Sequence, residues 1–331
     1  MSLLEVRDLH TFFKTKRGIV KAVNGVSYHV EQGRTLGLVG ESGSGKSVSA
    51  MSILRLLDGN GYVDSGEILF KGRNILECSQ DEMYKIRGNE ISVIFQEPMT
   101  SLNPVFTVER QISEVYLVHQ KLSKAEAREK SVEMLRLVRI PNPESVMKEY
   151  PYQLSGGMRQ RVMIAMALAC EPSLLIADEP TTALDVTIQA QILSLMNDLK
   201  AKTGASILFI THDLGVINVM ADDVAVMYCG QIVEMAPAKT IFTWCPFSHP
   251  YTEGLMLSIP RLDTPKDTQL EAIPGSVPNP LQLPKGCKFA PRCKYATKRC
   301  MESEPQLVEV EKNHSVRCFY PAKEDRHAAQ K

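Results

Sequence analysis

The amino-acid sequence predicts an α/β protein built on a mostly parallel sheet that helices cover. Four short segments rich in Val, Ile and Leu end in polar or glycine-rich turns, at TLGLVG (35–40), EISVIFQ (90–96), SLLIADE (173–179) and SILFITHD (206–213). Segments of helical length separate several of them, which is typical of parallel strands buried on both faces. The turn GESGSGKS (40–47), directly after the first segment, is of the kind that binds phosphate groups.

Other regions have different patterns. The first thirty-odd residues and VAVMYCGQIVE (224–234) have the pattern of alternating strands, which predicts an antiparallel sheet. The stretch that follows the second buried segment predicts helices, and Ser123 and Glu126 form an S-x-x-E capping box there. We expect a helical region between the second and third strands of the parallel sheet.

Length and composition bound the possible functions. The chain has 331 residues, of which 44% are hydrophobic and 23% charged, enough for one main domain and a smaller one. Its 38 basic residues balance 38 acidic ones, which disfavours nucleic acid as the main partner. No secretory signal is visible and the longest apolar run, VMIAMALAC (162–170), is too short to span a bilayer. We therefore expect a cytosolic chain, in which clustered cysteines more often bind metal than form disulfides.

The segment GESGSGKS fits G-x-x-x-x-G-K-[ST] between a strand and a helical pattern. Its glycines let successive N–H groups point at phosphates, and the helix adds its positive N-terminus. Lys46 is predicted to reach the β- and γ-phosphates, and the Ser47 hydroxyl to bind Mg²⁺. A Gly/Ser turn with a surface lysine is the alternative, and the flanking strand and helix disfavour it. The residues predicted to bind ATP here are Gly40, Ser42, Gly43, Ser44, Gly45, Lys46, Ser47 and Val48.

The segment SLLIADEP supplies two acids at the end of an apolar strand. Asp178 is placed to hold Mg²⁺ directly or through water, and Glu179 to polarise an attacking water as general base. Such a pair on its own is more often a solvated strand end. A phosphate loop in the same chain makes the two acids its expected complement.

A second anion-binding helix start is predicted at YQLSGGMRQR (152–161), with Ser155, Gly156 and Gly157. One nucleotide does not need two such cradles from one subunit, so the second is predicted to cap a γ-phosphate held by another subunit. Gln96 and His212 follow strands and are candidates for contacts with Mg²⁺ or the attacking water, and with the γ-phosphate. Each of these two, taken singly, is also typical of an ordinary strand end.

In the order and spacing of GESGSGKS, VIFQEP, LSGGMRQR, LLIADEP, TTALD and FITHD, the chain resembles the ATP-binding subunit of an ABC transporter. The likeness runs from about Leu3 to Glu234. It implies a P-loop ABC ATPase domain over residues 1–245, with a RecA-like parallel sheet, an antiparallel β subdomain and a helical subdomain at about 97–165. It also implies a dimer that sandwiches ATP, closes on it and reopens after hydrolysis.

The resemblance also implies roles for single residues. Glu179 would be the catalytic base and His212 the switch histidine, while Ser47, Gln96 and Asp178 would hold Mg²⁺. The loop after Gln96 would touch a membrane subunit.

At the dimer interface the resemblance implies that Ser155, Gly156 and Gly157 contact the ATP of the second ATPase subunit. Asp185, in TTALD, would line the same interface. Phe13 falls where the family places an aromatic ring on adenine, and Phe12 is a close alternative because only one of two neighbouring strand residues faces the base.

Two positions depart from the family pattern. Val48 stands where many members have Thr, which removes a hydroxyl near the α-phosphate. Met158 stands where the signature commonly has Gln. Backbone donors remain at both places, so we expect altered affinity rather than lost activity.

The chain after about residue 245 is rich in proline and has few long periodic segments. Its segments FSHPYTEGLMLSIP (247–260), IPGSVPNPLQLPKGC (273–287) and FAPRC (289–293) resemble the C-terminal extension of dipeptide and oligopeptide importer ATPases, and nickel importers look similar. We expect 246–331 to be a docked, metal-binding extension with a helix at 251–259. The last ten residues are predicted to fray.

Cys287, Cys293, Cys300 and Cys318 form the pattern C-x5-C-x6-C-x17-C. Zinc sites usually use C-x2-4-C pairs, and no pair here has that spacing. A [4Fe–4S] cluster takes four thiolates, and wider loops can wrap it. Similar tails in the peptide-importer family are associated with such a cluster, so it is favoured over Zn²⁺ and over free thiols. The isolated cysteines are expected to be small buried side chains, at Cys78, Cys170, Cys229 and Cys245.

The leading hypothesis is therefore the Mg²⁺-dependent ATPase subunit of an ABC importer, which energises uptake of di- or oligopeptides across the cytoplasmic membrane. Its expected partners are two transmembrane permeases, a second identical or homologous ATPase subunit and an extracytoplasmic peptide-binding protein. The chain would lie peripherally on the cytoplasmic face.

A nickel importer of the same subfamily is the nearer alternative, and a non-transport ABC ATPase acting on nucleic acid is more distant. About a hundred residues separate Lys46 from Ser155, which leaves no room for long coiled coils. A scaffold that binds ATP without hydrolysing it would have a damaged Glu179 or signature, and both are intact.

Overall fold

A computed structural model describes residues 2–96, 101–182, 184–243, 245–259 and 272–328. The chain divides into two compact units. The first unit contains residues 30–34 and 77–209, and the second contains residues 2–29, 35–76 and 210 onward. Elements are numbered in chain order through both units. Within the described residues no helix is long and apolar enough to cross a membrane.

The first unit combines a parallel strand pair with a group of helices. Its strands are β6 (Ile91–Ile94), β7 (Leu174–Asp178) and most of β8 (Ser206–Thr211). Its helices are α2 (Gln80–Ile86), α3 (Val108–His119), α4 (Lys124–Leu137), α5 (Pro143–Val146), α6 (Gly156–Leu168) and α7 (Val186–Thr203). Strand β7 lies between β8 and β6 and runs parallel to β6.

The helices predicted after the second buried segment are present as α3 to α6. Helix α3 packs on α4, and both contact α6. The predicted capping box starts α4, because the Ser123 hydroxyl accepts the Glu126 N–H at 3.3 Å and the Glu126 carboxylate accepts the Ser123 N–H at 2.9 Å. Residues 97–100, where the predicted helical subdomain and the membrane-facing loop begin, lie outside the described part of the chain.

The second unit holds two groups of strands. The strands are β1 (Ser2–Thr15), β2 (Gly18–Glu31), β3 (Thr35–Val39), β4 (Gly61–Phe70), β5 (Arg73–Asn74), β9 (Asp223–Tyr228), β10 (Gln231–Pro237), β11 (Val308–Glu311) and β12 (His314–Val316). One group has the order β2-β1-β4-β5, and β1 and β4 run antiparallel. The other has the order β11-β12-β10-β9-β3.

The helices of the second unit are α1 (Lys46–Leu54), α8 (Leu214–Met220), α9 (Ala238–Phe242), α10 (Pro250–Leu257), α11 (Lys298–Glu302) and α12 (Asp325–Ala328). Two buried hydroxyl contacts attach α1 to the first strand group. Thr11 Oγ1 lies 2.8 Å from Ser52 Oγ, and the Tyr28 hydroxyl lies 2.8 Å from Ser49 Oγ. These bonds satisfy polar groups that would otherwise be costly to bury.

The prediction of antiparallel strands over 224–234 is wrong in part. Strand β9 runs parallel to β3, from Leu36↔Asp223 to Val39↔Val226, and only β10 is antiparallel to β9. Residues 224–228 are all buried, so β9 has the uniform burial of a strand inside a parallel sheet rather than an alternating pattern.

The chain after residue 245 docks within the second unit, as expected for an extension without a long periodic core. Helix α10 matches the helix predicted at 251–259. Strand β12 pairs antiparallel with β10, and β11 completes the hairpin. The Tyr228, Tyr251 and Phe289 rings contact one another, with centroids 4.6–5.4 Å apart.

The prediction that the last ten residues fray is wrong for the part that the structure describes. Arg326 is 1% exposed and donates hydrogen bonds to the Glu253 carboxylate and to the Ser248 carbonyl. It also bonds the Pro321 carbonyl at 3.2 Å. The expectation came from position at the chain end, whereas partners distant in sequence hold this guanidinium.

We predict that Arg326→Met lowers the free energy of unfolding by about 3 kcal/mol, because Glu253 loses its buried cationic partner and the Ser248 carbonyl loses a hydrogen bond. Urea denaturation measures this loss. The control is Lys298→Met, since the Lys298 side chain is 88% exposed and pairs with Glu302 at 3.8 Å. Such a pair contributes less than about 1 kcal/mol. Equal stability of the two variants would contradict the prediction.

Candidate functional site

The phosphate loop leaves the fully buried strand β3 and ends where α1 begins at Lys46. A Cβ atom on Gly40 would lie 2.1 Å from the Met227 carbonyl oxygen, and one on Gly45 would lie 2.3 Å from the Ala22 carbonyl oxygen. Both glycines also have positive φ, at 157° and 103°. Only glycine allows the backbone to approach its neighbours this closely and in this conformation.

Two polar side chains of the loop, Ser44 and Lys46, are buried. Lys46 is 5% exposed, and its Nζ donates to the Gly40 carbonyl at 2.8 Å and to the Glu41 carbonyl at 3.1 Å. The Ser44 hydroxyl is buried and has no hydrogen-bond partner among the described residues. Buried hydroxyls normally have a partner, so this one is a donor for a group that enters the loop. The loop therefore fits an oxyanion such as phosphate.

Glu41, inside the loop, is held by two residues that the sequence analysis did not single out. Arg292 donates to both Glu41 carboxylate oxygens, at 2.7 and 3.1 Å, and the Glu41 N–H donates to the Tyr251 hydroxyl at 2.8 Å. The Arg292 side chain is 4% exposed and also bonds the Pro274 carbonyl at 2.9 Å. Because 251 positions separate Arg292 from Glu41, no local pattern could reveal this contact.

The two candidate aromatic residues of β1 differ in environment. Phe12 is 8% exposed, packs edge-on against Tyr62 with centroids 6.2 Å apart and lies under Lys21. Phe13 is partly exposed and lies opposite Gly61, where a Cβ would come within 2.7 Å of its ring. The exposed part of the ring favours Phe13 over Phe12 for stacking on a base, and this assignment stays a prediction.

His212 is exposed between the end of β8 and the start of α8. The next residue, Asp213, caps α8 by accepting the Gly215 N–H at 2.8 Å and the Val216 N–H at 3.3 Å. The helix start is therefore fixed directly beside His212, whose predicted role stays a prediction.

In the first unit, the structure brings together Gln96 and Glu179. Gln96 Nε2 donates to Glu179 Oε2 at 3.0 Å, and the Thr182 hydroxyl donates to the same oxygen at 3.0 Å. The contact arises because β6 and β7 pair in parallel, with Ile94 opposite Ala177. Both residues therefore lie just beyond the C-terminal ends of these two parallel strands.

Asp178 ends β7 and is 5% exposed. Glu179 follows with φ at 46°, in the left-handed region that costs a non-glycine residue about 1–2 kcal/mol. Strain of this kind is common where a side chain must be aimed for function. It supports the predicted catalytic role of Glu179.

The signature segment begins α6, as predicted. Ser155 is its N-cap and accepts the Met158 N–H at 3.3 Å, and both Ser155 and Gly156 are exposed. A Cβ on Gly157 would lie 2.9 Å from Ile188 Cγ2, so the first turns of α6 and α7 touch.

Asp185 caps α7 by accepting the Ile188 N–H at 2.9 Å and is itself exposed. The two helix N-termini therefore place the three signature residues and Asp185 on one accessible surface of the first unit. This is an arrangement that can meet an anion or a partner chain.

The four clustered cysteines line one cavity of the second unit. Cys287 and Cys293 flank the 3₁₀ turn Ala290–Arg292, Cys300 lies in α11, and Cys318 follows β12. Aromatic, proline and cationic side chains complete the wall, among them His249, Pro250, Phe289, Tyr295, Phe319 and Arg326.

Burial raises the pKa of the Cys293 thiol to about 12 and that of Cys318 to about 11, and it also raises the pKa of Cys287. These thiols are therefore neutral at pH 7 unless a cation compensates the thiolate charge.

Two family models match the chain. The model described as ABC transporter covers residues 23–182, and the model described as Oligopeptide/dipeptide transporter, C-terminal region, covers residues 233–300. The second match includes three of the four clustered cysteines.

Curated relatives align over nearly their whole length. The chain is 54% identical to the oligopeptide transport ATP-binding protein AppD of Bacillus subtilis over 96% of each chain. It is 50% identical to the oligopeptide transport ATP-binding protein OppD of Escherichia coli, over 98% of this chain and 94% of the relative.

Solved structures show the same fold over the larger part of the chain. A dimeric, post-hydrolysis state of the ATP-binding cassette MJ0796 bound to ADP and Pi matches with a TM-score of 0.64 and 26% identity, over 71% of this chain and 98% of that one. CbiO1 of Clostridium perfringens, part of the ABC transporter complex CbiONQ, matches with a TM-score of 0.63 and 28% identity, over 73% of this chain and 90% of that one.

We predict that Arg292→Met weakens Mg-ATP binding several-fold, because Glu41 loses both guanidinium donors and the loop loses a fixed backbone. We also expect about 2 kcal/mol of lost stability. Calorimetric titration with Mg-ATP and urea denaturation measure the two effects. The matched control is Arg299→Met, since Arg299 is exposed and lies over the Phe319 ring at 4.1 Å. Unchanged ATP affinity in Arg292→Met would show that the contact does not organise the loop.

Proposed function

This chain belongs to the ATP-binding subunits of oligopeptide ABC transporters, and we propose that it hydrolyses ATP to energise peptide import. The observation that carries the peptide assignment is the likeness through the C-terminal region, at residues 233–300, beyond the ATPase domain that many transporters share. Identities of 50–54% over nearly full length agree with it. A nickel importer of the same subfamily would differ in its cargo and not in its ATPase chemistry.

In the proposed catalytic cycle, the phosphate loop from Gly40 to Val48 binds the phosphates, and Phe13 stacks on adenine. Ser47, Gln96 and Asp178 hold Mg²⁺. Glu179 would polarise the attacking water as general base. The hydrogen bonds from Gln96 and Thr182 support this role of Glu179, because they orient its carboxylate.

We propose that His212 contacts the γ-phosphate and acts as a switch between ATP-bound and ADP-bound states. Its exposed position beside a capped helix start is compatible with that role. The departures at Val48 and Met158 leave the backbone donors in place, so they would change affinity more than rate.

The second ATPase subunit would complete the site. Ser155, Gly156 and Gly157 would contact the partner's ATP, and Asp185 would line the interface. Their shared exposure at two touching helix starts supports this proposal. The partner would be an identical or a homologous chain, since this sequence holds both halves of a composite site.

The transporter would also contain two transmembrane permeases and an extracytoplasmic peptide-binding protein, and would use no nucleic acid. This subunit would lie at the cytoplasmic face of the membrane and touch a permease through the loop after Gln96. In the proposed organisation, residues 1–245 form the nucleotide-binding domain and 246–331 the extension.

We propose that Cys287, Cys293, Cys300 and Cys318 hold a [4Fe–4S] cluster, which would contribute a covalent cross-link to a proline-rich segment. Given Zn–S distances of about 2.3 Å and tetrahedral angles, a single zinc holds thiolate sulfurs about 3.8 Å apart. Among the described residues, no three of these four sulfurs lie within 4.8 Å of one another, although all four line one cavity. A cluster that gives each thiolate its own iron does not need three sulfurs so close together.

We predict that Glu179→Gln lowers the rate of ATP hydrolysis by about 10²–10⁴-fold, because an amide cannot accept the proton of the attacking water. ATP should still bind and should hold a closed dimer. Phosphate release measures turnover, and size-exclusion chromatography with Mg-ATP measures dimerisation.

The control for this prediction is Glu171→Gln, which changes an exposed acid shortly before β7 and should keep wild-type turnover. Turnover near the wild-type rate in Glu179→Gln would contradict the assignment of the base. Loss of ATP binding in that variant would indicate that the residue acts in binding.

We predict about four irons and about four acid-labile sulfides per chain in protein purified without oxygen. Cys287→Ser and Cys318→Ser should lose them together with the visible absorbance. Cys78→Ser, a buried thiol of the first unit, is the control and should keep them. Protein without iron, or with zinc bound by four sulfurs, would overturn the cluster and leave the ATPase assignment in place.

A further inference from the structure

A second group of metal-binding side chains lies in the second unit, outside the four-cysteine cavity. One ligand atom from each of Cys245, Glu311 and His314 lies within 4.8 Å of the other two. Cys245 is 8% exposed and His314 is 1% exposed, whereas Glu311 is exposed. Two buried ligands and one at the surface make a site that is preformed and still reachable from solvent.

The hairpin of β11 and β12 creates half of this group. Glu311 ends β11, His314 begins β12, and the two residues face each other across the turn. Asn313 in the turn has φ at 61°, a left-handed conformation that Asn tolerates. Cys245 comes from the chain that follows α9, 69 positions before His314.

A buried carboxylate fixes the orientation of the imidazole. His314 Nε2 lies 2.9 Å from Glu234 Oε1, and Glu234 is 1% exposed. The other Glu234 oxygen accepts the His249 N–H at 2.7 Å, so this side chain is held in place. With Nε2 as the donor to the carboxylate, Nδ1 presents its lone pair towards Cys245 Sγ, 3.8 Å away. A carboxylate on the remote nitrogen is the usual support of a metal-bound histidine.

We propose that Cys245, His314 and Glu311 bind one zinc-class divalent cation, with water as the fourth ligand. With Zn–S at about 2.3 Å and Zn–N at about 2.0 Å, the observed Sγ–Nδ1 distance of 3.8 Å corresponds to an S–Zn–N angle of roughly 120°. Thiolate, imidazole and carboxylate together form a donor set that zinc accepts in tetrahedral geometry. Hard cations such as Mg²⁺ and Ca²⁺ prefer oxygen ligands throughout.

The bound ion would connect two parts of the second unit. It would tie the β11–β12 hairpin to the segment after α9, while Glu234 ties the same histidine to β10. The competing interpretation is a hydrogen bond between the Cys245 thiol and His314 Nδ1, with Glu311 near by chance. The two interpretations differ in whether Glu311 matters, because a thiol–imidazole hydrogen bond does not need it.

The test uses the full chain with its four-cysteine site intact. Zinc is measured by mass spectrometry after gel filtration, and its ligands by X-ray absorption at the zinc edge. The expected spectrum has one sulfur at about 2.3 Å and nitrogen or oxygen ligands at about 2.0 Å. Zinc in the four-cysteine cavity would instead show four sulfurs, so the two sites are distinguishable in one spectrum.

Matched variants separate the outcomes. Cys245→Ser should lose the zinc while keeping the iron of the four-cysteine site. Glu311→Gln should weaken zinc binding by about tenfold or more in a competition titration with a chelating dye. Glu309→Gln, also exposed on β11, is the control and should bind like wild type. Because Glu311 is exposed, its variant should fold normally even where Cys245→Ser does not.

Three results would overturn the proposal: no zinc after titration, zinc surrounded by four sulfurs, or equal affinity in Glu311→Gln and Glu309→Gln. The last result would favour the thiol–imidazole hydrogen bond. None of these outcomes depends on ATP hydrolysis or on peptide transport.

Discussion

The bidentate contact between Arg292 and Glu41 joins the phosphate loop to a segment 251 residues further along the chain. A guanidinium with this geometry makes two charge-assisted hydrogen bonds, and its burial prevents water from competing for them. The Tyr251 hydroxyl adds a third bond, to the backbone of Glu41. The C-terminal extension is therefore part of the environment of the loop, and not a separate appendage.

The extension has little apolar core of its own and depends on buried polar contacts. Burial and the nearby charges of Arg326 and Arg317 lower the pKa of His249 to about 3, so its imidazole is neutral and accepts the Tyr251 N–H at 3.0 Å. Arg326 and Glu253 form a buried pair, and Glu234 satisfies two further donors. Such networks are costly when incomplete, which favours one arrangement of the segment over others. The four cysteines stand within this framework, and one of them, Cys293, directly follows Arg292 in the chain.

Glu179 illustrates how the first unit holds the carboxylate of a single acid in one orientation. Its backbone is strained, and Gln96 and Thr182 direct the carboxylate. Thr182 follows Glu179 in the same turn, whereas Gln96 reaches Glu179 from the end of the paired strand, 83 positions earlier in the chain. The proposed role of Glu179 as general base would account for these contacts, because the carboxylate of a general base must already face the position of the attacking water.

The sequence by itself determined the buried strands, the glycine-rich loop, the capping box of α4 and the family. These features depend on the types of residues that lie close together in the sequence, because glycine conformation, helix capping and apolar runs are local effects. Gln96 was a candidate from sequence because it ends a strand, but only the parallel pairing of β6 and β7 placed it on Glu179. The parallel course of β9 and the ordered position of Arg326 were missed, since strand direction and terminal order depend on partners elsewhere in the chain. For the same reason, the sequence did not reveal the role of Arg292 or the group of Cys245, Glu311 and His314. Each of these is an ordinary residue type in the sequence, and only folding brings it close to its partners.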